Sequence, residues 1–310
     1  MKLKNTFGDS PINFPSKKMI EVCAGNIIDF HTHTFPDKIA KSTLEKLSGA
    51  SGSIPFTDAT VGGLTESAKK AGIGLSVVLP VVTNPAKCSS INQKAAAMNE
   101  EMAEKGIFSI GGYHPEADNY KEILDEVKAL GLKGIKLHPD YYGIRFDDIR
   151  MMRAIDYASE IGLFVITHAG KDIGLYPPVC CDVESVKNVI REVHPEKLVL
   201  AHMGGWNLWD EVLDQLAGEN VYLDTAFSIG EIPWKSADEE KYGFKMLSDE
   251  KFCELVRAFG SDRICFATDS PWADQKDFVK RIMKMPLTDD EKYDIFRKTA
   301  AGLLGIETTY

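Results

Sequence analysis

Apolar residues are distributed along the 310-residue chain in two recurring patterns. The first is a short, nearly continuous run. It occurs as NIIDFHTH (26–33), GLSVVLPVV (74–82), IFSIGGYHP (107–115), GIKLHPD (134–140), LFVITHAG (163–170), LVLAHMGG (198–205), VYLDTAF (221–227) and ICFATDSPW (264–272). Runs that are apolar at successive rather than alternate positions fit parallel strands covered on both faces. The second pattern, between most of these runs, has apolar residues three and four apart. It predicts helices over 120–131, 148–162, 182–195 and 249–260, the first two stopping at Gly131 and Gly162. A last helix opens at Thr288, whose spacing to Glu291 fits a capping box. Repeated strand–helix alternation predicts the α/β class and a (β/α)8 TIM barrel. A doubly wound open sheet is the alternative, but no strand is followed by a Gly-rich phosphate fingerprint. No linker rich in Pro, Gly or Ser divides the chain. Residues 26–310 therefore read as one barrel, 1–25 as an N-terminal extension, and 228–248 as a long insert after the seventh strand.

Composition narrows the function classes. With 44% hydrophobic residues the chain can bury a large core, and its net charge of −10 with scattered Lys and Arg argues against a nucleic-acid surface. The first twenty residues hold no apolar stretch like a secretory signal, and no run approaches the roughly 18 apolar residues of a membrane helix. None of the six cysteines forms a C-x-x-C pair, and adjacent Cys180 and Cys181 are poorly placed for zinc. The expectation is a cytoplasmic protein with reduced thiols that acts on a small molecule without nucleic acid or membrane, its homo-oligomeric state left open.

Histidine changes the picture most. Of seven, six close the predicted strands: His31, His33, His114, His138, His168 and His202; Asp269 closes the eighth strand. In a barrel these ends meet at one mouth, where active sites are built. His31 and His33 share a strand face roughly 6.6 Å apart, at about 3.3 Å per residue, so two imidazoles can converge on one metal ion. The plainer alternatives are polar residues where a strand meets a loop and, for Asp269, a strand-end cap.

The ordered set DFHTH, KLHP, THAG, LAHMGG, ATDSPW and a closing AAGLLGI resembles the amidohydrolase superfamily. It is most similar to the branch holding the aminocarboxymuconate-semialdehyde and resorcylate decarboxylases, and the resemblance runs from about residue 26 to 305. The resemblance implies one divalent metal held by His31, His33, His168 and Asp269. His202 is a ligand in two-metal members and acts on substrate in one-metal members. Lys136 stands where two-metal members carry a bridging carbamate; the alternative is a buried cation paired with a carboxylate, which favours one metal. Three histidines and an aspartate leave an open position for water and suit zinc, with manganese or iron as alternatives. Asp269 would then carry the proton and His202 polarise a carbonyl. His114, His138 and Arg145 are candidate substrate contacts, Arg145 being equally a surface ion-pair residue. Trp206, Trp209 and Trp272 either wall a pocket or pack helices, and Asp224 reads as a strand-end hydrogen-bonding residue. The functional expectation is a metal-dependent hydrolase of an amide, ester or lactone. The alternative is a nonoxidative decarboxylase of an aromatic or muconate-like acid. A metal-binding protein without turnover is disfavoured, because Asp269 and His202 are both retained.

Overall fold

A computed structural model describes residues 16–236 and 243–308; the start of the extension, part of the insert after the seventh strand and the last two residues lie outside the described set. The expected strands form: β1 (Ile27–Thr32), β2 (Ile73–Val78), β3 (Ile107–Ser109), β4 (Gly111–Gly112), β5 (Gly134–Leu137), β6 (Phe164–Thr167), β7 (Leu198–Leu200), β8 (Tyr222–Asp224) and β9 (Ile264–Cys265). All neighbours pair parallel, in the orders β1-β2-β3 and β4 through β9. The ring closes where Phe30 N donates to Phe266 O (2.9 Å), Asp269 N to His31 O (2.8 Å) and His33 N to Ser270 O (2.7 Å). The fold is a (β/α)8 barrel.

The third predicted strand is split into β3 and β4. Gly112 N donates to the Asn92 side chain (2.8 Å), which draws this backbone amide out of the ladder. The glycine is required there, since a Cβ would lie 2.6 Å from Val82 Cγ2 and 3.0 Å from Pro80 O.

Two buried layers follow from strand alternation. Ile28, Phe30, Val77, Leu79, Phe164, Ile166, Val199 and Cys265 form a cluster inside the ring, where the rings of Phe30 and Phe164 meet at 5.3 Å although β1 and β6 are not neighbours. The opposite strand faces, among them Ile135, Leu137, Val165 and Leu200, join the helices in a larger outer cluster. The register of β1 against β2 shifts between Asp29 and Thr32. That irregularity turns His31, one residue after inward-facing Phe30, into the mouth.

The predicted helices appear at Tyr120–Ala129, Ile149–Glu160, Val183–Val193 and Asp249–Phe259. Asp148, Asp182 and Ser248 cap the last three with side-chain oxygens. The capping box at Thr288 and Glu291 forms as expected. Its helix widens into a π turn over Asp294–Lys298, where the Ile295 carbonyl accepts from Phe266 N instead (2.8 Å). The described end of the N-terminal extension packs on this helix: Met19 and Val22 are buried, and Arg297 pairs with Glu21 at 3.0 Å. No helix among the described residues is long and apolar enough to cross a membrane.

Candidate metal centre at the barrel mouth

His31 lies within the β1 irregularity and His33 just past that strand, while Asp269 lies beyond β9. The three side chains converge: His31 Nε2 is 3.1 Å from His33 Nε2, and Asp269 Oδ1 is 3.2 Å from His33 Nε2 and 3.6 Å from His31 Nε2. The other ring nitrogens fix the tautomers. His31 Nδ1 faces the Asp224 carboxylate at 2.8 Å and His33 Nδ1 faces Leu79 O at 2.9 Å, so each Nδ1 carries the proton. Two Nε2 lone pairs and a carboxylate oxygen are left facing one another. A proton at their centre serves two of them; a divalent ion serves all three. Ligand atoms of a tetrahedral site with bonds of about 2.0–2.1 Å lie about 3.3–3.4 Å apart, which is the spacing seen here. The donor set therefore fits a divalent metal.

Backbone strain supports the arrangement. Asp269 (φ 66°) and His202 (φ 60°) are both left-handed, a conformation that Asp and His tolerate better than most residues. Asp269 is held by its N–H to His31 O, and His202 by its N–H to Asp224 Oδ1 (2.8 Å) and by Trp209 Nε1 donating to its carbonyl (2.9 Å). Asp224 is thus a strand-end hydrogen-bonding residue, as expected, and also the partner that orients His31. Burial raises the Asp269 carboxyl and the proximity of His33, His31 and His202 lowers it, the balance lying below the usual range.

His168 does not join this group. It groups instead with His138 and Asp172, and its Nδ1 lies 3.0 Å from His202 Nε2. The four-ligand set expected from the resemblance is reduced to three converging side chains, because the His168 ring turns toward β5 and stacks on His138 at 4.4 Å. His202 Nδ1 donates to Ala226 O (2.9 Å), and its ring sits between those of His31 (5.4 Å) and His168 (4.7 Å).

Lys136 faces the mouth from β5 beside His138, as strand parity predicts. Its Nζ lies 3.3 Å from His31 Nε2, and among the described residues no carboxylate comes within 4.0 Å of it, so the expected buried ion pair does not form. Burial pulls its amine down to about 8.

The remaining candidates are placed elsewhere. Arg145 donates to Asp147 (3.0 Å) and to Asp182 (3.0 Å), the ion-pair alternative rather than a carboxylate clamp. His114 packs on Tyr142 at 4.6 Å, and its Nδ1 accepts from Glu116 N. Trp206 and Trp209 are buried, and the Trp206 indole donates to Phe227 O (2.8 Å); these tryptophans pack and brace backbone. Asp140 and Asp172, from KLHPD and THAGKD, were not anticipated. Asp140 lies in a short helix (Pro139–Tyr142) after β5 and Asp172 in the loop after β6, where sequence alone does not fix orientation. Burial raises both carboxyls, that of Asp140 to about 7. Cys88, Cys180, Cys181, Cys253 and Cys265 are all free thiols.

Comparison with known proteins agrees with this fold. An uncharacterised TIM-barrel protein from Bordetella bronchiseptica superposes with TM-score 0.68 at 19% identity, covering 90% of this chain and 98% of the other. A dihydroxybenzoic acid decarboxylase from a Polaromonas species, solved with bound manganese and the inhibitor 2-nitroresorcinol, gives 0.60 at 14% identity over 90% of this chain and 97% of that one. A putative 2-pyrone-4,6-dicarboxylic acid hydrolase from Pseudomonas putida gives 0.57 at 17% identity over 91% and 98%. A search of curated protein sequences finds no match. The family model described as Amidohydrolase matches residues 28–306, nearly the whole chain, and the protein belongs to that family.

Proposed function

We propose that the protein is a metal-dependent nonoxidative decarboxylase of a small, planar carboxylic acid. The observation that carries the reading is the convergence of His31, His33 and Asp269 beside a histidine relay. His33 and His31 hold their Nδ1 protons on Leu79 O and Asp224, and so offer Nε2 to a metal ion. A divalent ion bound there supplies Lewis acidity toward a substrate oxygen.

Hydrolysis must deliver oxygen to a carbonyl, whereas decarboxylation must deliver only a proton. In R–COO⁻ + H⁺ → R–H + CO₂ the C–C bond breaks, its electron pair stays on the ring carbon, and a proton fills it. The mouth is furnished for proton delivery. His202 Nδ1 is pinned to Ala226 O, and its Nε2 meets the Nδ1–H of His168 at 3.0 Å. Asp269, protonated from bulk solvent, gives the proton to carbon, while His202, with both ring nitrogens committed, keeps a fixed orientation beside it. Burial of His202 and His168 excludes competing water. The likeness to a decarboxylase of dihydroxybenzoic acid supports a hydroxylated aromatic acid as substrate class.

Hydrolysis is the second reading, favoured by the contact of Asp269 with both ligand histidines, from which it can take a proton from attacking water. A test incubates Mn²⁺-loaded protein with hydroxylated benzoic and muconate-type acids carrying a ¹³C carboxyl label, and in parallel with lactones and esters. Labelled CO₂ or bicarbonate is expected. Turnover of the lactones or esters without label release would replace decarboxylation with hydrolysis.

A further inference from the structure

Behind the metal centre β1 carries a fully buried carboxylate, Asp29, that the proposed reaction does not use. We propose that Asp29 is a positioning residue: by holding Thr268, and through its hydroxyl Ser270, it fixes the left-handed backbone of Asp269 and so the reach of that carboxylate toward His31 and His33. The inference rests on the metal centre of the decarboxylase reading and adds to it a residue that touches neither metal nor substrate.

Asp29 stands between Ile28 and Phe30, which both face the inside of the ring, so strand alternation turns its side chain outward. There it meets Gln275, the first residue of the helix Gln275–Lys284. Thr268 donates to it twice, from N to Oδ1 (3.0 Å) and from Oγ1 to Oδ2 (2.6 Å). Gln275 Nε2 donates to Oδ2 (2.7 Å), and His31 N lies 3.5 Å from Oδ1. Among the described residues no lysine or arginine comes within 4.0 Å of it, so these donors alone satisfy the carboxylate. Gln275 must turn its amide nitrogen to Asp29, since its own oxygen would be repelled. That oxygen is left buried without a partner, a cost the contact with Asp29 outweighs.

The contacts of Thr268 decide what this carboxylate sets. Its hydroxyl also accepts from Ser270 N (3.2 Å), so the residues on both sides of Asp269 are held from one side chain. Between them Asp269 takes φ 66° and donates its N–H to His31 O (2.8 Å), while Ser270 O accepts from His33 N (2.7 Å). A left-handed residue other than glycine persists only where its surroundings over-determine it, and these bonds do so for Asp269. On the other arm, Asp29 precedes His31 by two residues. One carboxylate thus joins the strand that carries His31 to the turn that carries Asp269. Packing between strand and helix would be served by an apolar side chain, and a buried carboxylate is a costly substitute. Accepting both Thr268 donors at once requires its two oxygens.

Manganese affinity tests the proposal without reference to turnover, by calorimetric titration of the chelator-treated full chain with MnCl₂. Asp29→Asn keeps the size and one acceptor oxygen but turns an N–H₂ toward the donors. It should bind Mn²⁺ about tenfold more weakly than the parent, or weaker still. Thr268→Val keeps the side-chain shape without the hydroxyl and should do the same, whereas Thr268→Ser should restore the parent affinity. Asp29→Asn combined with Thr268→Val should bind no more weakly than the weaker single variant, because both changes break one contact. Parent affinity in Asp29→Asn, or losses that multiply in the double variant, overturns the positioning role. So does weakening in Asp29→Asn with none in Thr268→Val, which assigns the effect to a lost negative charge rather than to held backbone. Equal weakening in Asp148→Ala, a change at a helix start outside the mouth, would trace the effect to lost stability and overturn it too. A parent that binds no Mn²⁺ fails the metal centre itself, and the proposal with it. Should Asp29→Asn not fold, Thr268→Val against Thr268→Ser decides, and equal affinities overturn the proposal.

Discussion

Asp269 occupies left-handed backbone at φ 66°, touches both ligand histidines, and is nearly buried. Asn tolerates the same backbone conformation and keeps one oxygen donor, so Asp269→Asn removes the basic carboxylate without straining the chain. His31 and His33 remain as ligands. The variant should therefore keep its metal and lose turnover by roughly 10²–10⁴, about 3–5.5 kcal/mol of transition-state stabilisation. Metal content and kcat measured on one purified sample check this, and activity within tenfold of the parent with metal retained would move the proton-carrying role to His202. This residue was legible in the sequence because ATDSPW closes the last apolar run, which places it at the mouth although it lies beyond Cys265, the end of β9. Asp172 was not legible. Its carboxylate is aimed by Gly174 and Leu175 amides in a loop, and loop conformation has no periodicity from which to read a direction. Asp224 was half legible: parity placed it at a strand end, but its contact with His31 crosses the barrel between strands far apart in sequence.

The elements show the same division. Helix Ile149–Glu160 was predicted from its apolar spacing, and its start is set by Asp148, whose side chain accepts from Arg150 N and from the Arg150 guanidinium at 2.8 Å. The hydrogen bond from Arg150 holds the Asp148 carboxyl down at about 2, against an ordinary value of 3.8. A carboxylate whose folded value is depressed contributes stability above its unfolded value and loses it as pH falls toward the folded one. Asp148→Ala should cost about 1 kcal/mol at pH 7, mostly the lost cap, since a partly exposed ion pair adds little. The gap to the parent should narrow between pH 4 and pH 2. Urea unfolding of both proteins at pH 7 and pH 3 measures it, and a gap of equal size at both would mean that the ionised form is not what caps the helix. What the apolar pattern could not foresee is where ladders break. The split of β3 from β4 depends on the Asn92 side chain from a neighbouring helix, and the π turn at Asp294–Lys298 on a strand amide that claims the Ile295 carbonyl. Both are tertiary contacts that override a local preference.

At the scale of the whole molecule, the barrel gathers acceptor atoms from six strand ends into one buried mouth, and that arrangement bears on stability as well as chemistry. His31, His33 and Asp269 meet with their lone pairs inward, and Lys136 Nζ, 3.3 Å from His31 Nε2, is the nearest fixed positive group recorded there. An unfolded chain has no such convergence, so an ion that binds the folded mouth binds the native state selectively and stabilises it by mass action. At a free concentration 100 times its dissociation constant the gain is about 2.7 kcal/mol. For a chain of this size each kcal/mol moves the melting temperature by about 1.5 °C, so Mn²⁺ should raise Tm by about 4 °C over the same protein in a chelator. Replacement of His31 and His33 by Gln should shrink that shift, because it removes two of the three inward lone pairs while leaving the barrel's inner apolar cluster untouched. Thermal melts of the parent and the double variant, each with MnCl₂ and with EDTA, supply the four values needed. A parent that melts at one temperature in both buffers would mean that the mouth holds its acceptors apart without metal.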